Sequence, residues 1–171
     1  MKIAVVSDSH RKVDFTKEAL EFLKTQGASY VIHAGDLEVE ANLKTLQDLN
    51  LPYVTVFGNN DRPLLNVAHN YNIRQEPYCF KIKEISFKLM HLPFYLSTET
   101  DIVIYGHTHI FESDYKNNTL YLNPGELCAR EKDLIECVLL EINENEYIIN
   151  YYSKKINAKE FEKKEIRYER K

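Results

Sequence analysis

Short apolar runs alternate with stretches of helical spacing over the first sixty residues of the chain. The stretch from Phe15 to Gln26 has apolar side chains on one face and lies between Asp14 and Gly27, which predicts a helix with an N-cap and a stop. Apolar residues at helical spacing between 39 and 49 predict a second helix, which must end before the following proline. Strands are predicted for Lys2–Ser7, Tyr30–Ile32 and Tyr53–Phe57. This order of strands and helices predicts right-handed crossovers and a parallel sheet.

Strand patterns dominate the second half of the chain. Residues 62–77 contain prolines among polar residues, so a short helix and a loop are expected there. Strands are predicted for Phe80–Ile82, Ile85–His91, Ile102–Tyr105, Ser113–Lys116, Thr119–Leu122, Leu134–Ile142 and Tyr147–Tyr152. Residues 157–171 are rich in lysine and glutamate and predict a solvated helix or a frayed strand without a functional role. An α/β half followed directly by a β-rich half predicts two sheets stacked face to face and flanked by helices.

The length and composition of the chain predict a single domain over residues 1–171. Apolar residues make up 44% and charged residues 28%, which is typical of soluble globular proteins. No apolar run approaches the roughly 20 residues that cross a bilayer. The apolar start of the chain is too short for a signal-peptide core. We therefore expect a cytoplasmic protein that has no contact with membranes.

Net charge and cysteine usage narrow the function further. A formal charge of −4 argues against sequence-independent binding to nucleic acid, although a local basic patch would escape this argument. The three cysteines are Cys79, Cys128 and Cys137, and they show no Cys-x-x-Cys spacing. This argues against a disulfide framework and against a thiolate zinc site.

Side chains that can bind metals follow the ends of the predicted strands. Asp8, Asp36 and Asn59 each lie just past the carboxyl end of one of the first three strands. Because the carboxyl ends of parallel strands meet at one edge of a sheet, these three residues are expected to be neighbours in space. His91 closes a later strand, and a His-x-His pair follows the next one. The full set of candidate ligands is Asp8, His10, Asp36, Asn59, His91, His107 and His109.

The donor atoms of this set favour a pair of divalent cations. Each motif alone has a structural alternative: a tight turn, a helix cap or a hydrogen-bonded buried histidine. Together they offer oxygen and nitrogen donors and no thiolate, a mixture that suits manganese, iron, cobalt, nickel or zinc. Seven ligands are too many for one ion, but they divide into two neighbouring sites if Asp36 bridges them. Of the other histidines, His33 is expected in the core and His69 in a surface loop.

The order of these motifs resembles the calcineurin-like metallophosphoesterase superfamily. Its signature is Asp-x-His, Gly-Asp, Gly-Asn-(His/Cys)-Asp, His and Gly-His-x-His. The corresponding segments here are Asp8-Ser9-His10, Gly35-Asp36, Gly58-Asn59-Asn60-Asp61, His91 and Gly106-His107-Thr108-His109. The similarity extends from Met1 to about Gly125 and is greatest to small phosphodiesterases of bacteria and archaea that lack a capping domain. The resemblance implies an α/β fold, a four-layer αββα sandwich of two mixed β-sheets flanked by helices.

The resemblance also implies a ligand set, a cofactor and a reaction. Asp8, His10, Asp36 and His109 would hold a first metal. Asp36, with Asn59, His91 and His107, would hold a second one. The implied cofactor is two divalent metal ions, with manganese favoured and nickel, iron, cobalt or zinc as alternatives. The implied reaction is hydrolysis of a small phosphodiester by a hydroxide that bridges the metals. The sequence gives no indication of the oligomeric state.

Three positions depart from the family pattern. Many relatives have histidine, as the proton donor to the leaving group, where this chain has Asn60. We therefore expect a preference for good leaving groups or for diesters, with Asn60 as a catalytic and substrate-binding residue that cannot donate a proton. Asp61 is the other predicted catalytic-loop residue, with a role in holding the loop, and Arg62 is a candidate contact to phosphate. Leu92 replaces a common glycine after His91, and Glu126 replaces a common serine.

Two other functions are compatible with these residues. One relative in the eukaryotic retromer coat works as a protein-docking surface, so a non-catalytic scaffold with the same fold is one alternative. A nuclease is the other, and the acidic charge of the chain counts against it. The complete set of donors at the metal positions favours an enzyme that hydrolyses phosphoric ester bonds.

Overall fold

Two β-sheets of seven and five strands carry the fold. The computed structural model describes residues 1–94 and 96–170. Within these residues there are two α-helices, α1 (Val13–Thr25) and α2 (Glu40–Asp48). The strands are β1 (Lys2–Val6), β2 (Tyr30–His33), β3 (Tyr53–Val56), β4 (Ile73–Arg74), β5 (Tyr78–Ile82), β6 (Ile85–Leu89), β7 (Ile102–Ile104), β8 (Phe111–Lys116), β9 (Thr119–Pro124), β10 (Leu134–Ile142), β11 (Glu146–Lys155) and β12 (Glu162–Glu169). No helix in this part of the chain is both long and apolar enough to span a membrane.

The larger sheet contains the predicted parallel unit of the first half. Its strand order is β12-β11-β10-β1-β2-β3-β4. Strands β1 to β4 run parallel to one another, whereas β10 is antiparallel to β1, and β11 and β12 continue the antiparallel pairing. Helices α1 and α2 are the crossovers between β1, β2 and β3. This arrangement brings the carboxyl ends of β1, β2 and β3 to one edge of the sheet.

Strand β1 shows why the apolar runs of the first half are nearly continuous. Ala4 and Val6 belong to the core beneath the helices. Ile3 and Val5 belong to the core between the two sheets. Because successive side chains of a strand point to opposite faces, a strand that is covered on both faces needs apolar residues at every position.

The smaller sheet closes the second core. Its strand order is β5-β6-β7-β9-β8, in which β6, β7 and β9 are parallel. Phe87 and Leu89 of β6 and Ile102 of β7 pack in the same fully buried cluster as Ile3 and Val5 of the larger sheet. The predicted sandwich of two mixed sheets is therefore confirmed.

The helices occupy one outer face of this sandwich. Leu20 and Leu23 of α1 and Leu43 and Leu46 of α2 pack against the larger sheet. The outer face of the smaller sheet carries a small buried cluster of Met90, Val103, Tyr105 and Tyr121. Among the described residues, no α-helix contributes to that cluster.

Helix α1 begins earlier than its sequence pattern predicts. Its first residue is Val13, and Lys12 occupies the N-cap position without a side-chain cap. The prediction that Asp14 caps the helix is therefore wrong. Asp14 lies in the first turn, where a carboxylate interacts favourably with the helix dipole. The predicted stop is observed: Gly27, with φ of 95°, follows the last turn.

Two other segments differ from the sequence-based expectation. Residues 62–77 form short 3-10 helices at Arg62–Leu64 and Ala68–Asn70, followed by β4, which the sequence did not predict. Residues 162–169 form an edge strand that pairs along its length with β11. Of the two predicted alternatives the helix is therefore wrong, and the strand is observed but is paired rather than frayed. Ile166 and Tyr168 pack against the core between the sheets. These alternating apolar side chains favour a strand although the rest of the segment is charged. Lys171, also covered by that prediction, lies outside the described residues.

Candidate metal centre

The candidate ligands lie on loops at one edge of the sandwich, and both sheets contribute to them. Asp8, Asp36 and Asn59 follow β1, β2 and β3 of the larger sheet, whereas His91, His107 and His109 follow β6 and β7 of the smaller one. Backbone hydrogen bonds tie the first two loops together: the amide nitrogen of Asp8 donates to Gly35 O at 3.1 Å, and that of His10 donates to Asp36 O at 2.8 Å. The strand ends therefore fix the spacing of the donors.

The backbone of these loops is held in an unusual conformation. Six residues other than glycine have positive φ angles between 46° and 70°: Asp8, His10, Asp36, Glu38, His107 and His109. This left-handed region costs free energy for residues with a β-carbon, and such strain is found mostly at functional sites. The fold therefore holds these residues in unfavourable backbone conformations that orient their side chains.

Two glycines let the loops approach the carboxylates. A β-carbon at Gly58 would lie 2.2 Å from Asp36 Oδ1, and one at Gly106 would lie 2.8 Å from Asp8 Oδ2. Neither position can accept a larger residue without moving a carboxylate. The glycines in the Gly-Asn and Gly-His motifs are thus explained by close packing against Asp36 and Asp8.

Asp36 lies at the centre of the cluster and is almost fully buried. Its Oδ2 atom lies 3.3 Å from His91 Nε2 and 4.0 Å from His10 Nε2. Asn60 holds both carboxylate oxygens, because its backbone nitrogen donates to Oδ1 at 2.9 Å and its Nδ2 donates to Oδ2 at 2.6 Å. Asp36 thus reaches histidines from both halves of the predicted ligand set.

Asn59 joins the two histidines of the second predicted site. Its Oδ1 atom lies 3.0 Å from His91 Nε2 and 3.1 Å from His107 Nδ1. Asn59 and His107 are exposed, whereas His91 is fully buried. The cluster is therefore open to solvent on the side of Asn59 and His107.

Three acceptor atoms of the first predicted site face one another. His10 Nδ1 donates to Glu38 Oε1 at 2.6 Å, and His109 Nδ1 donates to Glu126 Oε2 at 2.5 Å, so each ring keeps a lone pair on Nε2. These Nε2 atoms lie 3.4 Å apart. Asp8 Oδ1 lies 3.3 Å from His109 Nε2, is buried, and accepts no hydrogen bond from the described residues.

This arrangement fits a cation. Among the described residues Asp8 Oδ1 is a buried acceptor without a donor, which is costly, and a divalent ion would satisfy it together with neighbouring acceptors. The ligand atoms of Asp8, Asp36 and His91 lie within 4.8 Å of one another, and so do those of His10, His109 and Cys128. The Cys128 thiol donates to Glu126 Oε2 at 3.1 Å, and burial together with this carboxylate raises the pKa of the thiol to about 12. A thiol in that state is a poor ligand, which agrees with a site of oxygen and nitrogen donors.

Burial and neighbouring charges compete in this cluster. Burial opposes the charged form of Asp36, but hydrogen bonds from His91 and Asn60 outweigh it and lower the pKa of that carboxyl group. Burial also opposes the charged form of His91, yet the hydrogen bond to Asp36 and the charge of Asp8 raise the pKa of His91 to about 9. At Asp8 burial prevails and raises the pKa. A cation bound by His91 must therefore displace a proton.

Glu126, Glu38 and Glu76 support the site, and the sequence patterns did not indicate these roles. Glu126 is fully buried and, besides holding His109, accepts the backbone N–H groups of residues 131 and 132 through Oε1 at 2.8 and 3.0 Å. Glu76 Oε2 accepts the backbone N–H of His91 at 2.5 Å. The only sequence signal was the departure from the family pattern at Glu126.

The remaining predicted site residues lie around this centre. Asp61 is fully buried, and its carboxylate accepts backbone N–H groups from Asp36 at 2.9 Å, Gly58 at 2.8 Å and Glu38 at 2.6 Å. Asp61 therefore joins the loop after β2 to the loop after β3. Arg62 begins a short 3-10 helix, is exposed, and makes no side-chain hydrogen bond or ion pair among the described residues.

The histidines outside the set lie where the sequence predicts. His33 is fully buried, accepts a hydrogen bond from the Gly35 backbone at Nδ1 and donates to Ser9 Oγ at 3.0 Å. Burial lowers the pKa of His33 to about 3, so it remains neutral. His69 is exposed in a short 3-10 helix.

Comparison with known proteins gives a consistent assignment. The phosphodiesterase MJ0936 of Methanocaldococcus jannaschii is 28% identical over 160 residues, which cover 86% of this chain and 96% of that protein. A solved archaeal phosphodiesterase superposes with a TM-score of 0.74 at 26% identity, covering 86% of this chain and 97% of the other. A Vps29 variant from Entamoeba histolytica superposes with a TM-score of 0.76 at 23% identity, covering 98% and 99% of the two chains, and this likeness concerns the fold. Residues 1–145 match the calcineurin-like phosphoesterase superfamily domain, and the chain belongs to that family.

Proposed function

We propose that this protein is a metal-dependent phosphodiesterase that hydrolyses small phosphodiesters at two neighbouring divalent cations. Its family and its similarity to a phosphodiesterase support hydrolysis of phosphoric esters. The complete donor set argues for catalysis by this chain rather than for the fold alone. One domain, residues 1–171, would carry the whole activity.

The placement of Asp36 is the observation that carries this proposal. One carboxylate oxygen of Asp36 lies between His91 Nε2 at 3.3 Å and His10 Nε2 at 4.0 Å. These histidines belong to loops from different sheets. A single carboxylate that reaches both groups is what a pair of cations a few ångströms apart requires.

The donors divide into two sets around Asp36. Asp8, His10, Asp36 and His109 would hold one cation. Asp36, Asn59, His91 and His107 would hold the other, and manganese, nickel, iron, cobalt and zinc all suit these donors. Bound there, the cations would lower the pKa of water and neutralise charge on the phosphoryl oxygens.

Residues of the loop after β3 orient the donors of this centre and limit which substrates it can hydrolyse. Asn60 fixes both oxygens of Asp36 through its backbone and side-chain nitrogens. Its amide cannot protonate a leaving group, and general acid catalysis typically contributes 10²–10⁴-fold. Substrates with good leaving groups are therefore favoured. Asp61 would preserve this geometry through its backbone contacts, and the exposed Arg62 is available for contact with a phosphate oxygen.

Two other functions remain as alternatives. A protein-docking scaffold needs no aligned donors, so the buried acceptor at Asp8 and the strained loops weigh against it. A nuclease needs a surface that attracts a polyanion, and the formal charge of −4 weighs against it.

Hydrolysis of bis-p-nitrophenyl phosphate tests the proposal. Activity is expected with added Mn²⁺ or Ni²⁺ and is expected to disappear with a chelator. Asp36→Asn should abolish activity in a protein that remains folded, because the carboxylate shared by the two cation sites is lost. A folded, metal-loaded wild-type protein without activity on a panel of phosphoesters would favour the docking scaffold instead.

A further inference from the structure

Arg130 reaches the candidate metal centre from a loop that none of the sequence motifs includes. Its Nη2 atom lies 3.2 Å from His109 Nε2 and donates to that nitrogen. We propose that Arg130 is a phosphate-binding residue that couples the binding of a phosphoryl anion to the binding of a cation by His109. This inference rests on the proposed function of the same site.

The first step of the argument concerns a single lone pair. His109 Nδ1 carries the proton that it donates to Glu126 Oε2 at 2.5 Å, so Nε2 has one lone pair to offer. Arg130 occupies that lone pair in this structure. A cation needs the same lone pair, so the guanidinium group must leave it when His109 becomes a metal ligand.

The second step concerns the freedom of the side chain. The Arg130 side chain is 57% exposed, and its other ion pair joins Nε to Glu131 Oε1 at 3.4 Å on the surface. The backbone beside it is fixed, because Glu126 Oε1 accepts the N–H groups of Glu131 and Lys132 at 2.8 and 3.0 Å. The guanidinium group can therefore turn away from His109 while its loop remains beside the metal centre.

The third step is electrostatic. A displaced guanidinium group lies close to a divalent cation, and two positive groups at short range repel each other. An anion between them removes this repulsion. The planar guanidinium group matches a phosphoryl group with two parallel hydrogen bonds, so a phosphoryl oxygen pair is the ligand that this geometry favours.

Arg11, which also lies beside the first predicted cation site, is less available than Arg130. Arg11 Nε forms an ion pair with Glu38 Oε2 at 3.0 Å, and Glu38 also holds His10. Its charge is thus already balanced by a carboxylate of the site. Arg130 instead donates to His109 Nε2, whose lone pair a bound cation would need.

The expected consequence is reciprocal linkage between the two ligands. Arg130 should weaken cation binding when no anion is present and strengthen it when inorganic phosphate is bound. In the wild-type protein, saturating phosphate should tighten Mn²⁺ binding about fivefold or more, within the usual range of coupling between sites. Because coupling is reciprocal, Mn²⁺ should tighten phosphate binding by the same factor.

Calorimetric titration of the full chain with Mn²⁺ tests this inference. The titration is run with and without inorganic phosphate, at controlled concentrations of free Mn²⁺. Arg130→Gln should bind Mn²⁺ more tightly than wild type without phosphate and should lose most of the coupling. Arg130→Lys keeps the positive charge but lacks the two parallel N–H donors of the guanidinium group, so it should retain only part of the coupling. Arg167→Gln is the matched control, because Arg167 is 54% exposed on β12 and pairs with Glu146 and Glu165.

The outcomes separate this inference from the proposed function. Wild-type coupling in the folded Arg130→Gln variant, with Mn²⁺ binding intact, would overturn the role of Arg130 and leave the metal site in place. A wild-type protein that binds no Mn²⁺ would overturn the proposed function itself, and the inference with it.

Discussion

Glu126 accepts a hydrogen bond of 2.5 Å from Nδ1 of His109, a residue seventeen positions earlier in the chain. The carboxylate is fully buried and can only accept, so it fixes the imidazole with its proton on Nδ1 and its lone pair on Nε2. The Nε2 atom that carries this lone pair accepts a hydrogen bond from Arg130 and lies close to Asp8 Oδ1 and His10 Nε2. Glu126 thus sets the direction in which His109 can bind a cation.

Replacement of Glu126 by glutamine tests this relationship. The amide can donate to His109 Nδ1, which moves the ring proton to Nε2 and removes the lone pair. We expect Mn²⁺ affinity to fall about 10–100-fold, the usual effect of losing a partner of a metal-bound histidine. Titration calorimetry on Glu126→Gln measures this. Glu144→Gln in an exposed turn is the control. Wild-type affinity in a folded Glu126→Gln protein would show that the carboxylate does not orient His109.

Asp8→Asn should separate stability from metal binding. Asp8 Oδ1 is buried, accepts no hydrogen bond from residues 1–94 or 96–170, and lies 3.3 Å from His109 Nε2. An asparagine at position 8 can turn its Nδ2 toward His109 Nε2 and donate to it in place of the exposed Arg130 guanidinium group. It would also remove a charge whose burial raises the pKa of Asp8.

In the presence of a chelator, the free energy of unfolding of Asp8→Asn should therefore be about 1 kcal/mol higher than that of wild type. This is the usual net contribution of one hydrogen bond. The measurement is urea unfolding in the presence of a chelator. Added Mn²⁺ should stabilise wild type more than the variant, because ligands stabilise the state that binds them. A metal-free variant less stable than wild type would refute this account of Asp8.

Asn60 should make the rate depend steeply on the leaving group. No proton can come from this side chain, so kcat/KM should fall strongly as the pKa of the leaving alcohol rises. Asn60→His should restore part of the activity on poor leaving groups, because a general acid contributes about 10²–10⁴-fold. A series of substituted phenyl diesters compares the two proteins. Equal slopes for wild type and Asn60→His would exclude a proton-donating role at this position.

The three cysteines should differ sharply in reactivity. Cys79 is exposed, whereas Cys128 and Cys137 are buried. Burial and the carboxylate of Glu126 raise the pKa of Cys128 to about 12, which leaves roughly one thiolate in ten thousand at pH 8. Labelling with a disulfide reagent should detect one fast thiol in the native protein and three after denaturation. Fast modification of Cys128 in the native protein would contradict its contact with Glu126.

The strand ends explain how much of this site the sequence could predict. Apolar runs end at Asp8, Asp36 and Asn59, and the rules for parallel sheets are sufficient to bring such residues together. The histidines of the second sheet required the family order of motifs as well. The same periodicity predicted β1, β2 and β3 to within one or two residues.

What the sequence could not predict depends on loop geometry. Glu126 and Arg130 act through contacts to His109 that are set by the turn between β9 and β10. No periodic pattern encodes such a contact. In β12, the lysines and glutamates concealed an alternation of Ile166 and Tyr168 that only pairing with β11 makes apparent.

Electron paramagnetic resonance of the Mn²⁺-loaded protein tests the central claim most directly, together with the number of metal ions per chain. Asp36 reaches both groups of donors, so the account predicts two Mn²⁺ ions per chain and a spectrum of two exchange-coupled ions. Coupling should be lost in Asp36→Asn. A single isolated Mn²⁺ signal from the saturated wild-type protein, or no bound metal, would contradict a shared site at Asp36.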